Sequence, residues 1–429
     1  MSPTIPSWPF VTTTITLAII FISLRAKKRS KTPYPPGPRP RFFVGNLFDI
    51  PASHPWKIYR EWGKIYGDLI HFEVIGQHTV VVNSRELADR MFEKRSRVYS
   101  DRPLIPMLDL TGWMKLNTGL MRYGSDWRIH RRLYKEGFRA TLVPNYQDVL
   151  SSKAEQFVSS LRQNPDSFVN HIRTYSAATI IATVYGYDIA PSNDRFVDLA
   201  EQSVGTLSDA VHPSAFVVNV LPFLRHLPLA FPVFKFQRIA RRTRGMLNEM
   251  RTVPYEFVKN NVATGKGKFS FLAKLLEDHT VNGGDKHQKD IIKDVVTTAY
   301  AGMPVFLNCF IPMTPTNVLS RCRYCAWQQN KSVLKLKLNL IFIVQTVSAL
   351  VTFVLAMALH PEIQKRAQNE LDVVVGKGRL PTYVDRFGLP YVEAIFREAL
   401  RWSPVLPLGV FHASFVDDII DGHFIPKGE

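Results

Sequence analysis

Residues 10–24 are apolar, threonine or serine without a single charge, and Arg25, Lys27, Lys28, Arg29 and Lys31 follow at once. A membrane span takes roughly 20 apolar residues, and Trp8 and Pro9 extend this run into the interface, where amphipathic rings settle. A cleaved signal peptide carries its basic residues before the apolar stretch and small residues after it. Here the order is reversed, so 1–31 reads as one transmembrane helix with a basic stop, a lumenal N-terminus and a cytoplasmic remainder. Residues 32–41 follow, with prolines at 33, 35, 36, 38 and 40. Proline fixes φ and removes the amide donor, so this stretch reads as a stiff spacer between membrane and domain.

The 429-residue chain is long enough for a large core, and its formal charge of +18, from 54 basic against 36 acidic residues, favours acidic neighbours: nucleic acid, anionic lipid or an acidic protein. Cysteine usage is sparse. Cys309, Cys322 and Cys325 lie in one stretch, which excludes a disulfide framework and fits a reducing compartment. Cys322 and Cys325 have the spacing of half a zinc site, but no second ligand pair accompanies them, so no metal site is assigned.

Apolar periodicity predicts helices over 54–66, 85–92, 126–137, 149–163, 239–259, 289–300, 346–359, 361–374 and 390–402. It predicts one hairpin over 68–83, turning at Gly76-Gln77. The fold class is therefore mainly α with small β-sheets. Residues 213–232 are apolar and punctuated by proline, a pattern that suits a surface loop touching membrane or substrate and suits a buried connection equally well.

Two side-chain patterns carry the functional reading. Glu398 and Arg401 lie three apart on a helix, a spacing that by itself describes a solvated ion pair. Ser125 or Asp126 is placed to cap the helix that carries Trp127 and Arg131, four apart on one face. An indole N–H and a guanidinium donate without accepting, as a carboxylate partner requires. Alone, this basic helix would read as a solvated or phosphate-contacting surface.

In context the chain resembles the cytochromes P-450. The resemblance rests on the proline-rich hinge, the Trp127-x-x-x-Arg131 helix, Glu398-x-x-Arg401, and the segment from Trp402 through His412 to Ile425-Pro426-Lys427-Gly428. It implies a haem-dependent monooxygenase acting on a lipophilic substrate, with thiolate-ligated haem as cofactor and electrons from NADPH through a separate reductase. It implies that Trp127, Arg131 and His412 donate to the haem propionates. It also implies that Glu398 and Arg401 form a buried structural ion pair, followed by a strand. Arg128, Arg132 and Lys135 would dock the acidic reductase, and 103–118 with 204–234 would contact substrate. The implied setting is single-pass in the endoplasmic reticulum membrane, in secondary metabolism or xenobiotic oxidation. No nucleic acid is expected as a partner, since no aromatic-basic binding motif accompanies the charge.

Two departures stand beside the resemblance. The family's distal helix begins at 298–302 and resumes at 346–350, and between them 303–345 contains no Asp or Glu, all three cysteines and Pro304, Pro312 and Pro315. Proline so placed breaks a helix, and we read this segment as translated non-coding sequence inside an otherwise continuous domain over 42–429. The chain also stops before the loop whose cysteine would ligate iron, and without that thiolate the haem chemistry has no axial ligand. The rival expectation is a haem-free, inactive relative in the membrane.

Overall fold

The structure, a computed structural model, describes residues 32–42, 44–51, 54–190, 194–211, 216–226, 235–281, 285–301 and 344–428. The expected membrane anchor at 1–31 and nearly all of the 303–345 segment, with its cysteines, lie outside them. Among the described residues no single helix is long and apolar enough to cross a membrane.

The chain divides into two compact units. The first takes residues up to Asp101 together with those from His412 onward. Helix α1 (Pro55–Tyr66) starts on Pro55, where the missing amide costs nothing, and buries Tyr59 and Trp62. These two rings pack on Phe72 of strand β1 (Leu69–Val74), which pairs antiparallel with β2 (Gln77–Val82) in register Leu69 to Val82. Ile75 and Gly76 form the turn, both at positive φ. A second hairpin, β3 (Asp418–Ile420) and β4 (His423–Ile425), buries Ile420 and Ile425 with Leu69, Leu87, Met91 and Tyr99. The proline-rich strap lies along β1. The His71 amide donates to the Pro36 carbonyl, and a Cβ on Gly37 would sit 1.8 Å from the His71 carbonyl oxygen. Only glycine permits so close an approach.

The second unit, Arg102–Phe411, is helical. Its core gathers α2 (Ser125–Gly137), α4 (Phe168–Tyr185), α5 (Arg195–Val211), α6 (Lys235–Ala263), α7 (Phe271–Val281) and α8 (Lys286–Tyr300) with two short helices, Pro106–Thr111 and Trp113–Leu116. Helix α3 (Pro144–Gln163) packs Ala154, Phe157 and Leu161 on α4 and on Val347 and Leu350 of α9 (Val344–Leu359). Helix α10 (Pro361–Val374) and α11 (Pro390–Trp402) close this side through Ala367 and Ile395 against Met357.

Several expectations change. Helices α4, α5 and α7 form where no helix was expected, and α6 extends beyond the expected 239–259 at both ends. The strand expected after Arg401 does not form: residues 403–411 are irregular, because Pro404 and Pro407 lack amides for a ladder and Gly409 turns at φ +65°.

Candidate functional site

Helix α2 begins at Ser125, with its cap one residue earlier than expected. Gly124, extended, takes the N-cap position, so neither Ser125 nor Asp126 caps the helix, and the Ser125 hydroxyl donates instead to Asp126 at 3.3 Å. Trp127 is half-buried and Arg131 exposed, with the guanidinium 5.8 Å from the indole ring centre. Tyr123 packs on Trp127 at 5.1 Å, and Arg128 sits 5.8 Å above Tyr123. A cation over an aromatic face is held by the ring quadrupole, so Arg131 is oriented without spending its N–H donors. Neither Trp127 nor Arg131 has a hydrogen bond or ion pair to another described side chain. The result is a donor-only pair on an exposed, basic helix, chemically matched to carboxylates such as haem propionates.

The adjacent face of α2 is buried and fixes the helix. His130, 1 % exposed, places Nδ1 2.8 Å from the Thr118 hydroxyl. The Thr118 amide donates to the Thr298 hydroxyl of α8 at 3.3 Å, and Thr298 in turn reaches the Leu116 carbonyl at 2.9 Å. One turn along α2, the Tyr134 hydroxyl donates to the Val295 carbonyl at 2.6 Å. Burial pushes the His130 pKa down to about 4, so its imidazole is neutral at pH 7. At Gly137 a Cβ would meet the Phe271 ring at 2.1 Å, so glycine lets α2 close on α7. None of these anchors was singled out from the sequence. His130, one residue before Arg131, is the signal that the sequence offers for them.

Glu398 and Arg401 do pair, Nε donating to Oε2 at 2.7 Å, but they are 58 % and 73 % exposed. Among the described residues the pair is thus open to solvent, where the resemblance implies a buried one. The more enclosed carboxylate on that helix is Glu393, which holds Arg386 and Arg397. Glu370 of α10 accepts from the Tyr391 and Val392 amides at 3.0 and 2.9 Å, satisfying the start of α11 from outside.

His412 belongs to the first unit, where its Nδ1 lies 2.7 Å from the Tyr99 carbonyl and its ring tilts against Phe92. In the second unit, the 103–118 segment is largely core: Met107, Leu108 and Trp113 are fully buried. Trp113 Nε1 and Ser203 Oγ of α5 are buried without a partner among the described residues. A cavity of about 200 Å³ lined by Tyr185, Tyr187, Phe257 and Lys268 touches none of these side chains.

No group of His, Cys, Asp and Glu among the described residues could hold a metal ion by three ligands. The donor pair thus suits the edge of a haem, while an axial thiolate must come from outside the described residues.

Comparison with known proteins gives a consistent answer. The family model for cytochrome P-450 matches residues 35–304 and 344–429, leaving 305–343 unmatched. A cytochrome P-450 monooxygenase of Coprinopsis cinerea is 35% identical over 92% of this chain and 70% of its own length. One from Postia placenta is 34% identical over 96% of this chain and 72% of its own. A third, from Aspergillus oryzae, is 31% identical over 92% and 68%.

Proposed function

The chain belongs to the cytochrome P-450 family, and we propose that it serves as a haem-dependent monooxygenase of a lipophilic substrate. The overall reaction balances as substrate, dioxygen, NADPH and a proton giving hydroxylated substrate, water and NADP⁺, with the electrons delivered by a separate reductase. Bound haem, ligated by a thiolate, supplies the reductive activation of dioxygen. The observation that carries the reading is the Trp127–Arg131 pair: two donors held side by side, one by a ring contact and both by a helix pinned through His130 and Tyr134. These residues bind and orient the propionates and balance their charge. His412, in the first unit, is assigned to the same task by family position.

The lipophilic substrate class is supported by the apolar character of 103–118 and of the described part of 204–234. The unpartnered Trp113 Nε1 and Ser203 Oγ are donors that an oxygen-bearing substrate could use. Exposed Arg128, Arg132 and Lys135 on α2 suit an acidic reductase surface. The uncharged run at 10–24 and its basic flank support a single-pass anchor in the endoplasmic reticulum membrane, with the catalytic domain cytoplasmic. Secondary metabolism or xenobiotic oxidation is the proposed context.

A second reading, a haem-free and inactive relative, is favoured by one observation: all three cysteines lie within 302–343, and no described residue is a cysteine. The ferrous carbon-monoxide difference spectrum of membranes carrying this chain separates the two. It is read beside a version from which 303–345 is excised and to which the family's cysteine loop is joined. A thiolate-type, red-shifted band in the second version supports the monooxygenase; its absence from both supports the haem-free protein.

A further inference from the structure

We infer that the cavity between the C-terminal ends of α4 and α6, in the second unit, is a binding site for a single-ring aromatic carboxylate. Its volume is about 200 Å³. A cavity of about 150 Å³ is enough for benzene, so one ring with a carboxylate fits, whereas a drug-sized molecule takes roughly 300 Å³ or more. Neither Trp127 nor Arg131 lines it, so the inference stands apart from the haem reading.

Short local contacts fix the walls. Helix α4 ends at Gly186, where φ is +64°, and a Cβ there would lie 3.1 Å from the Lys268 side chain, so glycine lets the two segments close. The Lys266 amide donates to the Asn261 carbonyl at 2.9 Å, which folds the loop after α6 back onto the helix end. The apolar lining is Tyr187 and Phe257, edge to face at 5.3 Å. Buried Phe196 packs on both, at 4.7 and 5.9 Å. Phe257 is 36 % exposed, so part of its ring is left for an apolar ligand to cover.

The polar lining is rich in donors. Asp188 is its carboxylate, and Lys153 and Lys268 already hold the two oxygens at 2.7 and 2.6 Å. Lys266, exposed, has no ion pair among the described residues, and the half-buried Asn261 carboxamide has no hydrogen bond among them. The amides of Gly267 and Lys268 likewise donate to no described residue. Three lysines thus stand against one carboxylate, beside neutral donors that await an acceptor. An anion is the complement, and a planar carboxylate can take two N–H groups at once. Inorganic phosphate would leave Phe257 uncovered, and an uncharged ring would leave Lys266 unpaired. A ligand holding both parts ties the ends of α4 and α6 together and stabilises the unit by mass action.

The test uses the full-length, detergent-solubilised chain and 4-fluorobenzoate, followed by fluorine NMR of the ligand. The expected result is saturable binding that benzoate displaces. Lys266→Met, at an exposed side chain without an ion pair, should weaken it about tenfold, the loss of one charge-assisted hydrogen bond. The uncharged 4-fluorobenzamide should bind parent and variant alike. No saturable binding of 4-fluorobenzoate, or equal affinity in parent and Lys266→Met, overturns the inference. A second measurement needs no variant: 4-azidobenzoate photolysed on the parent must label peptides within 185–188 or 257–268, and benzoate must block the label. Labelling confined to 103–118 or 204–211 would place the ligand elsewhere and refute the site.

Discussion

Neutralising Asp188 should damage the second unit more than removing the lysine it serves. Lys153, on α3, has a side chain only 7 % exposed, and its Nζ donates to Asp188 at 2.7 Å. Lys268 binds the other carboxylate oxygen at 2.6 Å from a far more open position. These two lysines hold the Asp188 carboxyl below the usual range, Lys153 first. In Asp188→Asn the buried ammonium loses its anion, and stripping one partner from a buried pair costs about 3 to 5 kcal/mol. Asp188 is 54 % exposed, so water repays part of this and the expected cost is about 2 kcal/mol. Lys153→Met removes the buried charge itself, replaces the stem with a flexible apolar chain of similar length, and leaves Asp188 with Lys268, for a change within about 1 kcal/mol. Combining the two should recover most of the loss. Urea unfolding reads this directly: with a slope of about 2 to 3 kcal/mol per molar, Asp188→Asn lowers the midpoint by roughly 0.7 to 1 M. A Lys153→Met variant as unstable as Asp188→Asn, or a double variant worse than either, would refute the reasoning.

Acid titration should separate two buried groups of opposite sense. His130 has its pKa lowered to about 4 from 6.5, so its contribution is complete above pH 6.5 and is lost as pH falls toward 4, by about 3 kcal/mol. Asp294 has its pKa raised to about 6 by burial against the pull of Arg251, so its ionised form weakens the fold at pH 7, and about 3 kcal/mol returns as pH falls from 6 toward 4. Relative to the parent, His130→Gln should therefore gain stability on acidification and Asp294→Asn lose it; parallel midpoint-against-pH curves would contradict both assignments. Phe271→Ala removes a fully buried ring packed against Phe138 and Tyr134 and should cost about 4 kcal/mol in urea unfolding. Gly37→Ala forces a Cβ onto the His71 carbonyl and should cost about 2 to 3 kcal/mol, visible as faster proteolysis within 33–40; protection equal to the parent would argue against the close strap. Arg401→Gln should leave the unfolding midpoint where it is, because both members of that pair face water.

Legibility did not follow amphipathicity alone: α9, apolar all round, was expected over 346–359, while the amphipathic α5 was not. Helices α1, α2 and α11 show one apolar stripe, and their bounds fall within a residue of expectation. The first hairpin is equally clear from its alternation and its Gly76 turn. Helix α4 is different: from Ile172 to Tyr185 nearly every residue is buried, so no polar face marks a period, and Thr179, Ile180, Ile181, Thr183 and Val184 suggest a strand by propensity. Helix α6 was expected through Pro254, over 239–259, and the structure extends it by four residues at each end. The strand after Arg401 was an inference from resemblance, against the local evidence of Pro404 and Pro407, and the local evidence prevailed.

The candidate site shows the same division between what pattern reveals and what packing decides. Trp127 and Arg131 could be picked out only beside the proline-rich hinge and Glu398-x-x-Arg401, since a basic helix alone reads as a solvated or phosphate-contacting surface. What aims them could not, because His130 and Tyr134 acquire meaning only through Thr118, Thr298 and Val295, residues far apart in sequence. On a helix these four positions fall within about 100° of arc, so the buried seam and the open donors are neighbours. A rotation of α2 large enough to break the His130 contact would therefore swing Arg131 by a similar arc. The face that carries Trp127 and Arg131 is consequently as well ordered as the buried hydrogen bonds beside it. His130→Phe, which fills the space without accepting a bond, should loosen α2, and faster amide exchange across Trp127–Arg131 than across α3 would register it. Exchange that stays slow there would mean that Tyr134 alone sets the helix.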